Sequence, residues 1–172
     1  GAIWVASNTH GIVRIQGRGN FLGAYTLVAY SIANGKLNSN YADCIYKDRE
    51  GRIWAGTGGS GLSLYDVEKD LFLPVHKLWN LPGDAVTSIQ SDKQGDLWLG
   101  TNAGLLRLTV PKDLQNVTYR LYTTSDGLQD NLFNRGASCV APDGEMFFGG
   151  HQGYNSFFPD EQNEQVFSSP VV

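Results

Sequence analysis

A chain of 172 residues is long enough for one domain with a buried core. It carries 13 Lys and Arg against 17 Asp and Glu, a formal net charge of −4, which argues against binding of nucleic acid, a task that needs a basic face. No apolar run reaches the roughly 18 residues of a spanning helix, so no membrane span is expected in this region.

The chain opens on a strand-like phrase, Ile3-Trp4-Val5-Ala6-Ser7, followed by Gly11. The phrase returns as Gly51-Arg52-Ile53-Trp54-Ala55-Gly56-Thr57 with Gly61, and as Gly95-Asp96-Leu97-Trp98-Leu99-Gly100-Thr101 with Gly104. Its last form is Gly144-Glu145-Met146-Phe147-Phe148-Gly149-Gly150 with Gly153. The anchors Trp4, Trp54, Trp98 and Phe147 stand 50, 44 and 49 residues apart. A period of this size marks an array of equal structural units.

Residues 1–34 are read as the first unit, starting at its Trp strand and lacking the strand before it. In residues 35–78, Leu37 leads to a run Tyr41–Lys47, then Asp48-Arg49-Glu50-Gly51, the Trp strand, a Gly-rich loop, and runs Leu62–Tyr65 and Leu71–Lys77. In residues 79–124, Leu81 leads to Ala85–Ser91, Asp92-Lys93-Gln94-Gly95, the Trp strand, and runs Leu105–Leu108 and Val117–Thr123. From the leading Leu to the Trp is 17 residues in both. Each unit thus reads as four short strands with turn signals between them. In Asp-x-x-Gly the Asp side chain caps a tight turn and the Gly supplies a positive φ.

Residues 125–160 form the last unit, in which Leu128 to Phe147 is 19 residues. Counting back from Gly144 puts Ala141 where Asp48 and Asp92 stand, whereas anchoring on Asp143 shortens the turn, and the count alone does not choose. A bulge near Asn134-Arg135-Gly136 would absorb the extra residues. Residues 161–172 read as a tail leading to a following domain, so the chain is expected to be part of a longer one.

The Trp strands are apolar at consecutive positions, as in Ile53-Trp54-Ala55 and Leu97-Trp98-Leu99. Such strands are covered on both faces. A sandwich would show one polar face per strand and clean alternation. Four-stranded antiparallel sheets stacked around an axis bury both faces, so the fold class is all-β, a run of β-propeller blades belonging to a larger propeller. No extended 3.6-residue pattern signals a helix. Cys44 and Cys139 lie on first strands two units apart and are expected to stay unpaired.

The repeats resemble two-component regulator propeller repeats in the Leu-x-x-Asn opening, Asp-x-x-Gly, Trp-x-Gly-Thr and the Gly-Leu that starts the third strand. The stretch from Ser125 to Asn134, continued by Phe147-Phe148-Gly149-Gly150 and Gly153–Asp160, resembles a final blade before an immunoglobulin-like domain. Ala6-Ser7 replaces Gly-Thr in the first unit. The resemblance implies a periplasmic, non-catalytic sensor region of a hybrid two-component histidine kinase of the Bacteroidetes type, with an oligosaccharide ligand and control of polysaccharide-utilisation genes. Some relatives carry a diguanylate cyclase output instead, and a passive interaction scaffold is the remaining alternative. In such a setting the sequon Asn116-Val117-Thr118 is idle.

No cofactor is expected. Gly56-x-Gly58-x-x-Gly61 matches a dinucleotide fingerprint in letters only, because a strand and not a helix follows it. His10 and His151 occupy the same kind of loop in distant units, and no metal site is read from them. No paired carboxylates or nucleophile–base spacing suggests catalysis.

Propellers bind at one rim, where the loops before each first strand meet the loops between second and third strands. Trp79 is the one Trp outside the repeat slot: it either stacks on a sugar ring or packs beneath its own loop with Leu81. Asn40, Asp84 and Asn131 are read as turn caps. Asn102, Asn134, Arg135 and His151 lack an obvious structural duty and complete the candidate ligand-binding set with Trp79. Bare end blades would make the isolated chain self-associate, as a homodimer or larger.

Overall fold

The computed structural model describes residues 1–17 and 23–161. The strands fall into four antiparallel sheets, each keeping sequence order. Sheet one holds β1 (Ala2–Ser7), β2 (Gly11–Gly17) and β3 (Tyr25–Tyr30). Sheet two holds β4 (Ala42–Lys47), β5 (Ile53–Thr57), β6 (Gly61–Asp66) and β7 (Leu71–Leu73). Sheet three holds β8 (Val86–Ser91), β9 (Leu97–Thr101), β10 (Leu105–Thr109) and β11 (Thr118–Tyr122). Sheet four holds β12 (Phe133–Val140), β13 (Met146–Gly150) and β14 (Gly153–Phe157). The last few residues, 162–172, which include nearly all of the expected tail, lie outside the described residues.

Consecutive sheets are cemented face to face by three separate cores. Ile12, Tyr30, Ala55 and Phe72 fill the first, between sheets one and two, with Trp4 packed against them. Trp54, Leu64, Ile89, Leu97 and Leu99 fill the second, between sheets two and three. Trp98, Tyr122, Phe133, Phe148 and Phe157 fill the third, between sheets three and four. One strand therefore serves two cores: Leu97 and Leu99 face the preceding blade and Trp98 the following one. That is why β9 is apolar without alternation. Trp54 and Trp98 are 0% exposed, and burying side chains of this size removes more apolar surface than any other choice at the slot. These sheets are β-propeller blades.

The strands β4, β8 and β12 are the innermost. β4 touches β8, β8 touches β12, and β4 also reaches β12, so the three converge at the narrow end of the stack. Close packing there explains the glycine after the Trp. A methyl group on Gly56 would stand 2.5 Å from the Val86 carbonyl oxygen of the next blade and 2.5 Å from the Cys44 sulfur.

Two expectations need correction. The run Leu71–Lys77 is not one strand: β7 ends at Leu73, and after Pro74 the residues Val75–Leu78 form a one-turn helix, α1. Pro74 has no N–H to extend the ladder, and the turn it permits buries Val75 and His76. Short 3₁₀ turns, Ile32–Asn34 and Thr124–Asp126, also precede the second and fourth units, where no helical turn is expected from the sequence.

The alignment left open in the last unit is settled by its backbone. Ala141 N–H donates to Glu145 and Gly144 N–H to Ala141, the pattern that Asp48 and Asp92 make in their turns. The additional residues enter β12, where the pairing jumps from Phe133↔Gly150 to Ser138↔Phe148. In β4 and β8 the jump is smaller, from Ala42↔Thr57 to Cys44↔Gly56 and from Val86↔Thr101 to Ser88↔Gly100.

Candidate functional site

At one end of the stack, each loop before an inner strand is hydrogen-bonded to the loop between second and third strands. Gly58 N–H donates to Tyr41 at 2.9 Å and Asn102 N–H to Ala85 at 3.3 Å. Neighbouring blades are tied as well: Gly11 N–H donates to Asn40 at 2.9 Å and Gly61 N–H to Asp84 at 2.8 Å. The rim expected from the sequence is thus hydrogen-bonded from the first blade to the third.

The motif residues build it. Thr57 Oγ1 donates to the Gly61 carbonyl at 2.9 Å and Thr101 Oγ1 to Gly104 at 2.7 Å, so the buried Thr of Trp-x-Gly-Thr closes its own loop. Asn40 Oδ1 accepts from Ile32 N–H and Asn131 Oδ1 from Thr124 N–H, each at 2.9 Å, pinning the 3₁₀ turns.

The candidate ligand residues fare differently. Trp79 is half-buried, its ring 6.0 Å from that of Trp54 at 51°, within the second core. The Asn102 amide is taken up by the neighbouring loop: its oxygen accepts from Asp84 and Ala85 N–H at 3.1 and 3.2 Å, and its nitrogen donates to the Asp84 carboxylate at 2.7 Å. Asn134 Nδ2 donates to the Gly150 carbonyl at 3.1 Å. His151 is exposed at the tip of the last loop, its backbone N–H directed to Leu132.

Arg135 lies in the widened bulge of β12, and its Nε stands 3.0 Å from Asp43 Oδ1. Asp43 is the bulged residue of β4, two blades away. Its carboxylate is 1% exposed, while the Arg135 side chain is 54% exposed. Burial pushes the Asp43 carboxyl above the usual carboxylate range, and the Arg135 charge pulls it partly back. Oδ1 receives no aligned hydrogen bond, so the contact is one of charge with charge. Gly58 lies beneath the pair: a methyl group there would stand 3.5 Å from Asp43 Oδ2 and 3.9 Å from Arg135 Nη2. Tyr41, 57% exposed, borders the same glycine.

Asp43, Tyr41 and Gly58 are the residues that the sequence reading misses. The available signal was a departure from the repeat: Thr87 holds the Asp43 position in the next unit and donates to the Gly100 carbonyl of its own blade at 3.1 Å. A second buried polar group, His76, holds the Gly83 carbonyl through Nε2 at 2.8 Å and covers Gly61 with its ring, where a phosphate-binding loop would need open space. Among the described residues no three His, Cys, Asp or Glu side chains gather to hold a metal ion.

A sequence profile described as Two component regulator propeller matches residues 36–59 and 80–103, the loop, inner strand and Trp strand of the second and third blades. These two segments are two-component regulator propeller repeats. A curated relative, Histidine kinase P4 of Formosa agariphila, is 30% identical over 89 residues, covering 52% of this chain and 6% of that protein. Among solved structures, the extracellular domain assigned to the hybrid two component system BT3049 of B. thetaiotaomicron superposes with a TM-score of 0.75 at 20% identity, over 99% of this chain and 21% of that one. The corresponding domain of BT4673 from the same organism gives 0.74 at 19% identity, over 98% of this chain and 23% of that one. The chain therefore spans a small fraction of the proteins it is similar to, and at these identities the superposition speaks for the propeller fold.

Proposed function

We propose that this chain is part of an extracytoplasmic, periplasmic sensor propeller that recognises an oligosaccharide and passes its occupancy to a histidine kinase. The observation that carries the reading is the coincidence of two-component regulator propeller repeats with the fold of extracellular domains of hybrid two component systems. The partial identity to a histidine kinase supports the choice of output. The rim adds the exposed Arg135 and His151, polar groups suited to hydroxyl-rich ligands.

A ligand biases such a device only if it binds one arrangement of blades more tightly than the other. Strain at the rim is well placed to do this, because the rim loops of the first two blades are each bonded to the next blade. Calorimetry of the chain against a panel of plant and host oligosaccharides, with product analysis, tests the reading. Heat without product is the expected result. Product formation would indicate an enzyme, and silence across the panel a passive scaffold.

A further inference from the structure

We propose that Arg135, held by Asp43 at the inner mouth of the rim, is a receptor for a carboxylate-bearing ligand. This deepens the sensor reading above and rests on it. Three observations carry it. First, both residues break the repeat. Asp43 stands where the next unit has Thr87, and Arg135 sits in the residues that the last unit inserts beyond the common bulge. Places where a sequence abandons its own repeat without a packing gain are where function is expected.

Second, the guanidinium is tethered but unspent. Arg52 uses Nε on Asp48, Nη1 on the Pro111 carbonyl and Nη2 on Glu50, with its side chain 15% exposed. Arg107 uses Nε on Asp96, with Nη2 facing Asp92. Arg135 uses only Nε, on a carboxylate that is itself 1% exposed, and no described hydrogen bond takes up Nη1 or Nη2. A guanidinium tethered at one edge by a buried counter-charge keeps its outer N–H groups for a ligand, and its planar fork matches a carboxylate with two parallel N–H···O bonds.

Third, there is room and a flanking surface. Gly58 leaves the floor near the guanidinium without a side chain, and the exposed Tyr41 borders the same glycine through its Cβ. An acidic sugar could place its carboxylate on Arg135 and a ring face on Tyr41. If the ion pair served only to tie the second blade to the fourth, a buried guanidinium satisfied on all sides would do so better.

The test is nuclear magnetic resonance of the arginine Nε–H signals of the whole chain, with the Arg135 signal assigned by its absence in Arg135→Lys. Trigalacturonate and maltotriose are titrated in turn. A saturable shift of the Arg135 signal with trigalacturonate but not maltotriose, with affinity weakened at least tenfold in Arg135→Lys, is the expected result. The double variant Asp43→Asn/Arg135→Ala, which leaves no buried unpaired charge, should stay folded and lose the binding. Three results would overturn the inference: an unmoved Arg135 signal, equal shifts with both sugars, or unaltered trigalacturonate affinity in Arg135→Lys and the double variant. In each case the calorimetric panel judges the sensor reading separately, since a ligand that generates heat without moving Arg135 binds elsewhere.

Discussion

The indole N–H of Trp98 donates to the carboxylate of Asp92 at 2.9 Å. The same carboxylate accepts backbone N–H groups of Gln94, Gly95 and Asp96 at 3.0, 2.9 and 2.9 Å. One buried side chain thus closes the turn and anchors the aromatic residue that fills the next core. Trp54 and Asp48 repeat the arrangement at 2.8 Å. In the last blade both partners change together, to Ala141 and Phe147, so neither a donor nor an acceptor is left stranded.

Removing Asp92 alone should therefore be severe. Asp92→Ala orphans a buried indole N–H and three turn amides, and a loss of about 3 kcal/mol is expected. Trp98→Phe should also destabilise, but the pair Asp92→Ala/Trp98→Phe should lose less than the sum of the two by about 1 to 2 kcal/mol. Urea unfolding of the three variants gives the coupling directly, and strict additivity would show that the two side chains act independently.

Gly56 sets the approach of adjacent blades. The methyl of Gly56→Ala meets the backbone oxygen of Val86, which cannot swing away as a side chain can. A loss of about 1 to 3 kcal/mol is expected from such overpacking. Gly59→Ala, at the loop tip of the same blade with nothing within 4 Å, is the control for added bulk, although its φ of +82° adds some strain of its own. Thermal unfolding should rank Gly56→Ala below it.

What was readable in advance follows from the kind of force involved. The blade was legible because an interior slot demands a large apolar residue once per repeat, and Trp54 and Trp98 sit where that demand is strongest. The turn role of Asp92 was legible for the same local reason, but its bond to Trp98 was not, because the indole nitrogen reaches it only after the turn has folded. For Trp79 the sequence left two roles open, a sugar contact or packing beneath its loop with Leu81, and Pro74 and α1 fold its ring onto Trp54 in the core that holds Leu81. Arg135 was singled out without its partner. Asp43 comes near it only through the curvature of the stack, which no local spacing encodes.

The two thiols should differ in reactivity. Cys44 is directed at the Val86 carbonyl at 3.8 Å, and burial pushes its thiol up to about 12. Almost none is thiolate near pH 8, so its reaction is slow. Cys139 is exposed on the outer side of the last blade. Ellman's reagent should modify one thiol per native chain and two after unfolding in guanidinium, with Cys139→Ser abolishing the native reaction.

Acid should act on the joint between the first two blades. Asp70 accepts from the hydroxyls of Tyr30 and Tyr65, each at 2.7 Å, and from Lys36 Nζ at 2.5 Å, with Arg14 at 3.3 Å. These bonds, the one from Lys36 foremost, hold its carboxyl well below the usual carboxylate range. A depressed folded value means that the stabilisation is present in full above the unfolded value, about 3.9, and is lost as the pH falls through the folded one. Asp70→Asn should be less stable than the parent at pH 7, and the difference should shrink below about pH 4. Because the carboxylate is partly exposed, solvent screening keeps the effect modest. A difference that is constant from pH 7 to 2 would exclude this role.

The outer face of sheet one is an apolar surface left bare. Ile3, Ile15 and Leu27 form one cross-strand row and Val5, Val13 and Ala29 the next. Ile3 and Leu27 are each 66% exposed, whereas Trp4, Ile12 and Tyr30 on the opposite face pack against sheet two. The apolar faces between consecutive blades are covered by a neighbouring sheet, so two such bare faces in separate copies should find each other. Sedimentation velocity should show concentration-dependent association of the parent chain. The variant Ile3→Lys/Leu27→Glu, which alters no inward-facing side chain, should sediment as a single monomeric species. A parent chain that remains monomeric at high micromolar concentration would show that this face is sufficiently solvated by itself.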